Sequence, residues 1–162
     1  MREKELILQF KVYEGLNELE DRDRALLGQA VAAAAQAYAP YSQFRVGAAV
    51  LLDNGKIILG NNQENLAYPS GLCAERVAVY AARANFPDAR IQTVAITARA
   101  GKHQLHNPVY PCGACRQVLV EVESKQNSPI RVLMAGPENE VVEARQVADL
   151  LPLQFSAHLS KE

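Results

Sequence analysis

The chain has 162 residues, 49% hydrophobic and 22% charged, the balance of a globular domain long enough to bury one core. Its 17 basic and 18 acidic residues leave a net charge of −1, and basic residues such as Arg22 and Arg24 are interleaved with acids. That argues against a polynucleotide partner, whose phosphates call for a basic stripe, and for a small substrate. No apolar run reaches the roughly 18 residues of a membrane span, so no membrane partner is expected. The opening Met1-Arg2-Glu3-Lys4-Glu5 leads to only a short apolar stretch, unlike a secretory signal, and a cytoplasmic location is expected.

Residues 1–20, with a short strand over 5–13, precede a body over 21–162, and the whole reads as a single domain. A helix is expected over 21–39, with Asp21 as its cap, Leu26, Leu27, Ala30, Val31 and Ala34 on its inner face, and Pro40 as its stop. Strands follow at 45–52 and 56–61, joined by a hairpin at Asp53-Asn54-Gly55. A helix over 73–85 is expected to turn Ala74, Val77, Ala78, Ala81 and Ala82 inward. A strand at 91–98, a helix at 112–124, a strand at 129–135, a strand or turn near 140 and a short C-terminal helix complete the order. Strands alternating with helices after the hairpin imply a mixed α/β sheet with crossover connections.

The three cysteines are an odd number, poor material for a disulfide framework. Cys73 and the pair Cys112 and Cys115 each fall at the expected start of a helix, where free N–H groups and the helix dipole stabilise thiolates. The Cys-x-x-Cys spacing puts two sulfurs on one side of a helical turn, so Cys73 has to come from the neighbouring helix. Three ligands leave the fourth position of a tetrahedral zinc open, as a catalytic zinc requires. Glu75, two residues from Cys73, is a proton carrier placed beside that position. Arg76 is expected to donate hydrogen bonds to the sulfurs and offset their charge. A redox Cys-x-x-Cys pair does not explain Cys73 or Glu75, and a structural zinc site needs a fourth ligand that the spacing does not reveal. His103, His106 and His158 fall outside every motif and read as surface residues.

The pattern Cys73-Ala74-Glu75 followed by Pro111-Cys112-Gly113-Ala114-Cys115 resembles the zinc deaminases of nucleosides and nucleobases. The wider sequence is similar to the small, all-cysteine cytidine deaminases. The matching stretches run from Tyr38-Ala39-Pro40-Tyr41-Ser42-Gln43-Phe44-Arg45-Val46-Gly47-Ala48-Ala49 through Asn62-Gln63-Glu64-Asn65 and Tyr68-Pro69. They continue with Cys73-Ala74-Glu75-Arg76 and Cys112-Gly113-Ala114-Cys115-Arg116-Gln117-Val118, and end at Leu150-Leu151-Pro152 and Phe155. The resemblance implies a three-layer fold, a five-stranded mixed sheet with helices on both faces. It implies hydrolysis of cytidine and 2'-deoxycytidine to uridine, 2'-deoxyuridine and ammonia, with one Zn²⁺ per subunit of a homotetramer whose active sites are shared.

Residue by residue, the resemblance makes Cys73, Cys112 and Cys115 the zinc ligands and Glu75 the proton shuttle. Asn62 and Glu64 bind ribose hydroxyls, Phe44 lines the base pocket, and Ala74 offers its backbone to the base. Tyr68 and Phe155 line the pocket or a subunit interface, while Arg76 and Gln117 support the first contacts. Without the motif, Asn62 and Glu64 would read as a solvated strand end and Phe44 as core packing. The chain departs from the family's usual pattern at Ser70-Gly71-Leu72, Asn61, Leu153-Gln154 and the long loop from Lys102 to Val109. These departures touch the pocket rim and the interface and remove no chemical group. The other readings are a deaminase of a different cytosine nucleoside such as blasticidin S, a non-catalytic zinc protein and, against the charge, a polynucleotide editor.

Overall fold

A computed structural model describes residues 1–100, 105–136 and 139–155. Six strands form one sheet: β1 Phe10–Tyr13, β2 Phe44–Leu52, β3 Ile57–Asn61, β4 Ile91–Ala100, β5 Arg131–Ala135 and β6 Val141–Ala144, in the order β1-β6-β5-β4-β2-β3. The helices are α1 Asp21–Ala35, α2 Ala74–Asn85 and α3 Gly113–Gln126. The sheet thus has one strand more than expected, and the addition is β1 at its edge, antiparallel to β6.

Alternation along the strands separates two cores. Ala48, Val50 and Leu52 of β2, Val94 and Ile96 of β4, and Val132 and Met134 of β5 pack with α2 and α3. Ala49, Leu51, Ala95 and Leu133, on the opposite face, pack with Leu26, Leu27 and Ala30 of α1. The sheet is therefore covered on both sides, as the three-layer reading requires. Two strand glycines let the helices sit close. A Cβ on Gly47 would stand 2.0 Å from the Ala30 carbonyl oxygen of α1, and one on Gly60 would stand 2.5 Å from the Ala74 carbonyl oxygen of α2.

The topology aims two helix starts at one place. β3 and β4 both pair antiparallel with β2, so they point the same way. α2 follows β3, and α3 follows β4 and leads into the parallel strand β5. Both helices therefore begin at the same edge of the sheet and on the same face, where crossover connections build their sites.

Several element boundaries differ from expectation, each for a physical reason. The first strand covers only the last four residues of 5–13, because β6 offers partners to Phe10–Tyr13 alone. The first helix stops at Ala35 rather than 39. Tyr38 is diverted into pairing, its N–H donating to the Asn62 carbonyl and its own carbonyl accepting from Glu64 N–H at 3.1 and 2.9 Å. The residue that caps α1 is Glu20, with no side-chain cap, while Asp21 lies inside the first turn and pairs with Arg24. On α2 the buried face holds Ala74, Glu75, Ala78, Val79 and Ala82, so Val79 replaces the expected Val77 and Ala81. α3 runs to Gln126 and ends on Asn127 in the left-handed conformation, a frequent helix stop. In the tight turn of the β2–β3 hairpin Gly55, not Asn54, carries the positive φ. The expected C-terminal helix is a single 3-10 turn, Val147–Leu150. His103 and His158 lie outside the described residues, as does part of the Lys102–Val109 loop, while His106 is exposed as expected.

Two side-chain networks tie the layers together. The buried Glu123 of α3 accepts backbone hydrogen bonds from Ile130 at 2.8 Å, Val147 at 2.7 Å and Ala148 at 3.0 Å. On the other face Arg131 forks onto Asp23 of α1 at 2.7 and 3.2 Å and reaches Glu143 of β6 at 3.1 Å, while Tyr13 of β1 donates to Glu143 at 2.6 Å. That second network fastens the extra strand to the domain.

Candidate metal centre and cleft

Cys73 and Cys112 are the residues that cap α2 and α3, both with extended backbone, and Cys115 lies in the first turn of α3. The three sulfurs lie within 4.8 Å of one another, with Cys73 Sγ 3.7 Å from Cys112 Sγ. Such a separation is far beyond a disulfide bond. It equals the sulfur–sulfur edge of a tetrahedron built on Zn–S bonds of ~2.3 Å, which is about 3.8 Å. The cluster therefore fits a zinc ion. Among the described residues no fourth His, Cys, Asp or Glu joins it.

The surroundings favour thiolates. Two helix N-termini point positive ends at the sulfurs. Arg76 places Nη2 3.6 Å from Cys73 Sγ. A hydrogen bond from the Cys115 thiol, reinforced by Arg76 and Cys112, draws the Cys73 thiol down to about 5. The same contact pushes the Cys115 thiol up, with burial adding to the effect, so in the protein alone Cys73 ionises first. Binding a metal ion removes the remaining protons.

Glu75 is only 4% exposed, in the first turn of α2. Burial raises its proton affinity, and the neighbouring Cys73 charge raises it further, so its carboxyl lies above the usual carboxylate range. A carboxyl group that can hold or yield a proton beside a metal-activated water suits acid–base work.

Cys73, Cys112 and Glu75 line a cleft of about 760 Å³, within the range of small-molecule sites. Cys73, Cys112, Glu75 and Arg76 lie at its base, and Phe44, Asn62, Glu64 and Tyr68 line its walls. The structure thus gathers eight of the twelve residues singled out from the sequence. Cys115 is fully buried beneath the floor, and Ala74 is buried with its carbonyl against Gly60. Gln117 and Phe155 stand apart from the cleft, joined to each other by a 3.2 Å hydrogen bond from the Gln117 amide to the Phe155 carbonyl. The Phe155 ring is 79% exposed.

Asn62 and Glu64 are partly engaged within the protein. The Asn62 carbonyl oxygen accepts from Val46 N–H at 2.7 Å, and its amide nitrogen donates to the Phe44 carbonyl at 2.9 Å. The Glu64 carboxylate accepts from the N–H groups of Tyr41 at 2.9 Å and Ser42 at 3.3 Å, and from the Ser42 hydroxyl. The Ser42 hydroxyl and these N–H groups hold it below the usual carboxylate range, against a smaller opposing effect of burial. After these bonds Asn62 keeps one N–H donor and Glu64 keeps one acceptor site.

Arg116 holds the approach to the metal ligands, a task its place in the motif does not reveal. Its Nε donates to the Pro111 carbonyl at 2.8 Å and its Nη1 to the Leu150 carbonyl at 2.9 Å. The turn before Cys112 is thereby fastened to the C-terminal segment. Both partners are backbone oxygens, which carry no residue signature.

Comparison with known proteins agrees with this geometry. A family model described as the cytidine and deoxycytidylate deaminase zinc-binding region matches residues 20–128. A cytidine deaminase of Halalkalibacterium halodurans is 39% identical over 132 residues, 82% of this chain and 92% of that protein. One from Mycobacterium tuberculosis strain H37Rv is 40% identical over 130 residues, 80% of this chain and 86% of that protein. The crystal structure of cytidine deaminase from Burkholderia pseudomallei superposes with a TM-score of 0.71 at 36% identity, covering 85% of this chain and 100% of that one. The matched span contains all three cysteines, and with identity of this order across most of both chains, this protein belongs to the cytidine and deoxycytidylate deaminase family.

Proposed function

We propose that this protein hydrolyses cytidine and 2'-deoxycytidine to uridine and 2'-deoxyuridine, releasing ammonia. One observation carries the reading: a buried carboxyl of raised proton affinity stands beside three converging sulfurs at the floor of a nucleoside-sized cleft. The names of the relatives point to the same substrate.

Cys73, Cys112 and Cys115 hold the zinc, one ion per subunit. When bound there, zinc supplies an ionised water at neutral pH. Glu75 would hold a proton beside the cleft and deliver it to N3 of the cytosine, which makes C4 electrophilic toward the attacking oxygen. It would then carry a second proton, from the hydroxyl that C4 gains, to the amine, so that the C4 carbonyl forms as the C4–N bond breaks and ammonia leaves; one carboxyl acts as base and then as acid. Burial keeps Glu75 away from bulk water, so its protons go to the substrate. Arg76 offsets the charge of three thiolates.

Phe44 lines the base pocket, and Ala74 supplies backbone contact to the base at the start of α2. Asn62 and Glu64 bind the sugar. Support for that role comes from the groups left over after their internal bonds: a hydroxyl both donates and accepts, and one N–H donor and one acceptor site remain to meet it. Tyr68 and Phe155, both highly exposed, serve the cleft rim or an interface between subunits of a homotetramer, and Gln117 steadies Phe155.

Residues 21–162 form the catalytic domain in this reading, and residues 1–20 an extension that adds β1. The net charge of −1 favours a free nucleoside over a polynucleotide. Among the described residues no helix is long and apolar enough to cross a membrane. Three cysteines acting as thiolate ligands suit a reducing compartment, which supports a cytoplasmic location.

The test is the ultraviolet absorbance of zinc-loaded protein mixed separately with cytidine, deoxycytidine and cytosine. Rapid loss of the cytosine nucleoside spectrum with little change in the free base is expected. No change with any of the three at full zinc occupancy would overturn the assignment.

A further inference from the structure

The turn from Tyr41 to Phe44 builds one wall of the cleft, and Ser42 sits at its centre. Its hydroxyl donates to Glu64 Oε1 and accepts the Phe44 N–H at 3.0 Å. Its own N–H donates to Glu64 Oε2. One short side chain thereby links the Glu64 carboxylate to the backbone of Phe44, two residues that line the cleft. Between Ser42 and Phe44, Gln43 adopts φ +56°, a left-handed conformation that a non-glycine residue rarely holds unaided. The Ser42 hydroxyl closes over that residue as a serine turn and holds it there. The far end of the segment is fixed independently by the pairing of Tyr38 with residues 62–64.

The bonds on Glu64 define what Ser42 does. A carboxylate has about four acceptor sites. Tyr41 and Ser42 N–H groups occupy two on Oε2, and the Ser42 hydroxyl occupies one on Oε1. The remaining site on Oε1 has its direction set by the Ser42 bond, in the cleft wall that also carries the free N–H of Asn62. Without the hydroxyl the carboxylate could still accept the two N–H groups on Oε2, but Oε1 would be free to swing.

We infer that Ser42 is a positioning residue for sugar recognition: it orients Glu64 toward a nucleoside hydroxyl. This rests on the assignment of the cleft to a cytosine nucleoside. An interaction that is equally strong in substrate and transition state changes KM and leaves kcat alone. The sugar is remote from C4, so its contact belongs to that kind.

The experiment compares zinc-loaded wild type, Ser42→Ala and Ser42→Thr on cytidine and on 2',3'-dideoxycytidine, which lacks both ring hydroxyls. Ser42 is exposed, so the substitutions do not disturb a core. Ser42→Ala is expected to raise KM for cytidine about tenfold, the loss of one hydrogen bond to a charged group, with kcat changed less than about twofold. On the dideoxy substrate its KM is expected to change less than about twofold, because the contact is absent there. Ser42→Thr restores the hydroxyl and is expected to recover cytidine KM to within about threefold of wild type. Equal losses on both substrates, a loss confined to kcat, or no loss at all would overturn the inference while the deaminase assignment stands. Absence of wild-type turnover on cytidine would overturn that assignment and this inference together.

Discussion

Glu75 is subject to opposed influences. Its place in the first turn of α2 favours the charged carboxylate, whereas burial and the adjacent Cys73 favour the proton. The result is a carboxyl that holds its proton more readily than a glutamate on an exposed face. Glu75→Gln keeps the size and hydrogen-bonding shape and removes the proton traffic. It is expected to lower kcat by at least about a thousandfold, within the range lost with a positioned acid–base group. The zinc content, measured by metal analysis, should match wild type, because no ligand is touched. Retained turnover would remove Glu75 from the proton pathway. These residues were legible in the sequence because Cys73, Ala74 and Glu75 are contiguous and Cys112 and Cys115 share a turn. Ser42 and Arg116 lay within the matching stretches, but their tasks were not legible. Each acts on groups far along the chain, Glu64 in one case and the Leu150 carbonyl in the other. No local spacing encodes such pairs.

The helices and strands turn those residues into a site through close packing. Gly60 lies under the N-terminal turn of α2, where an added Cβ would stand 2.5 Å from both the Ala74 carbonyl oxygen and the Ala78 nitrogen. Those are backbone atoms of a packed helix and cannot swing aside. Gly60→Ala should therefore lift the start of α2 and move Cys73 relative to α3. A loss of stability of about 1–3 kcal/mol is expected from overpacking, read in urea unfolding, together with weakened zinc retention against a chelator. Unchanged zinc retention would mean that α2 does not set the metal geometry. The strand periodicity and the helix starts were visible in the sequence. The ends of elements were less so, because they depend on partners: residues 5–9 look like strand but find nothing to pair with, and Tyr38 leaves the helix for the 62–64 segment.

The added strand β1 is held by a bond that reports on itself. The Tyr13 phenol donates to Glu143, and that bond, with burial and the Glu143 charge behind it, raises its pKa from 10.0 to about 12. A group whose folded-state pKa is raised contributes stability that is complete below the unfolded value and lost as pH rises through the folded one. The window is therefore pH 10 to 12. Glu143 has the opposite sign. Burial opposes its charge, yet Arg131 and Tyr13 outweigh burial and hold it below the usual range, so its contribution disappears as pH falls through that lowered pKa. Tyr13→Phe is expected to cost about 1 kcal/mol at neutral pH and to flatten the decline between pH 10 and 12. An unchanged alkaline decline in the variant would show that β1 is not fastened through this phenol.

At the scale of the whole molecule, large apolar side chains stand exposed at and around the cleft. Tyr68, in the cleft lining, is 77% exposed and Leu66 is 76% exposed, while Phe155, within the sequence pattern, lies outside the cleft lining and is 79% exposed. Apolar groups left open in this way suit contacts between subunits. If Phe155 completes a neighbour's cleft in the proposed homotetramer, two defects on different chains can compensate. Glu75→Gln destroys the site of the chain that carries it but leaves its Phe155 intact. Phe155→Ala leaves its own Glu75 intact but deprives a neighbour. Each variant alone is expected to be poorly active. Unfolding and refolding the two together allows mixed assemblies, in which a cleft with intact Glu75 meets a neighbour with intact Phe155. Activity of the mixture above the mean of the two separate preparations is the expected result, and it should fall on dilution as sedimentation shows the assembly coming apart. A mixture no better than that mean, from protein shown by sedimentation to have reassembled, would place Phe155 outside the catalytic arrangement. A protein monomeric at every working concentration, with full activity, would remove the shared site altogether.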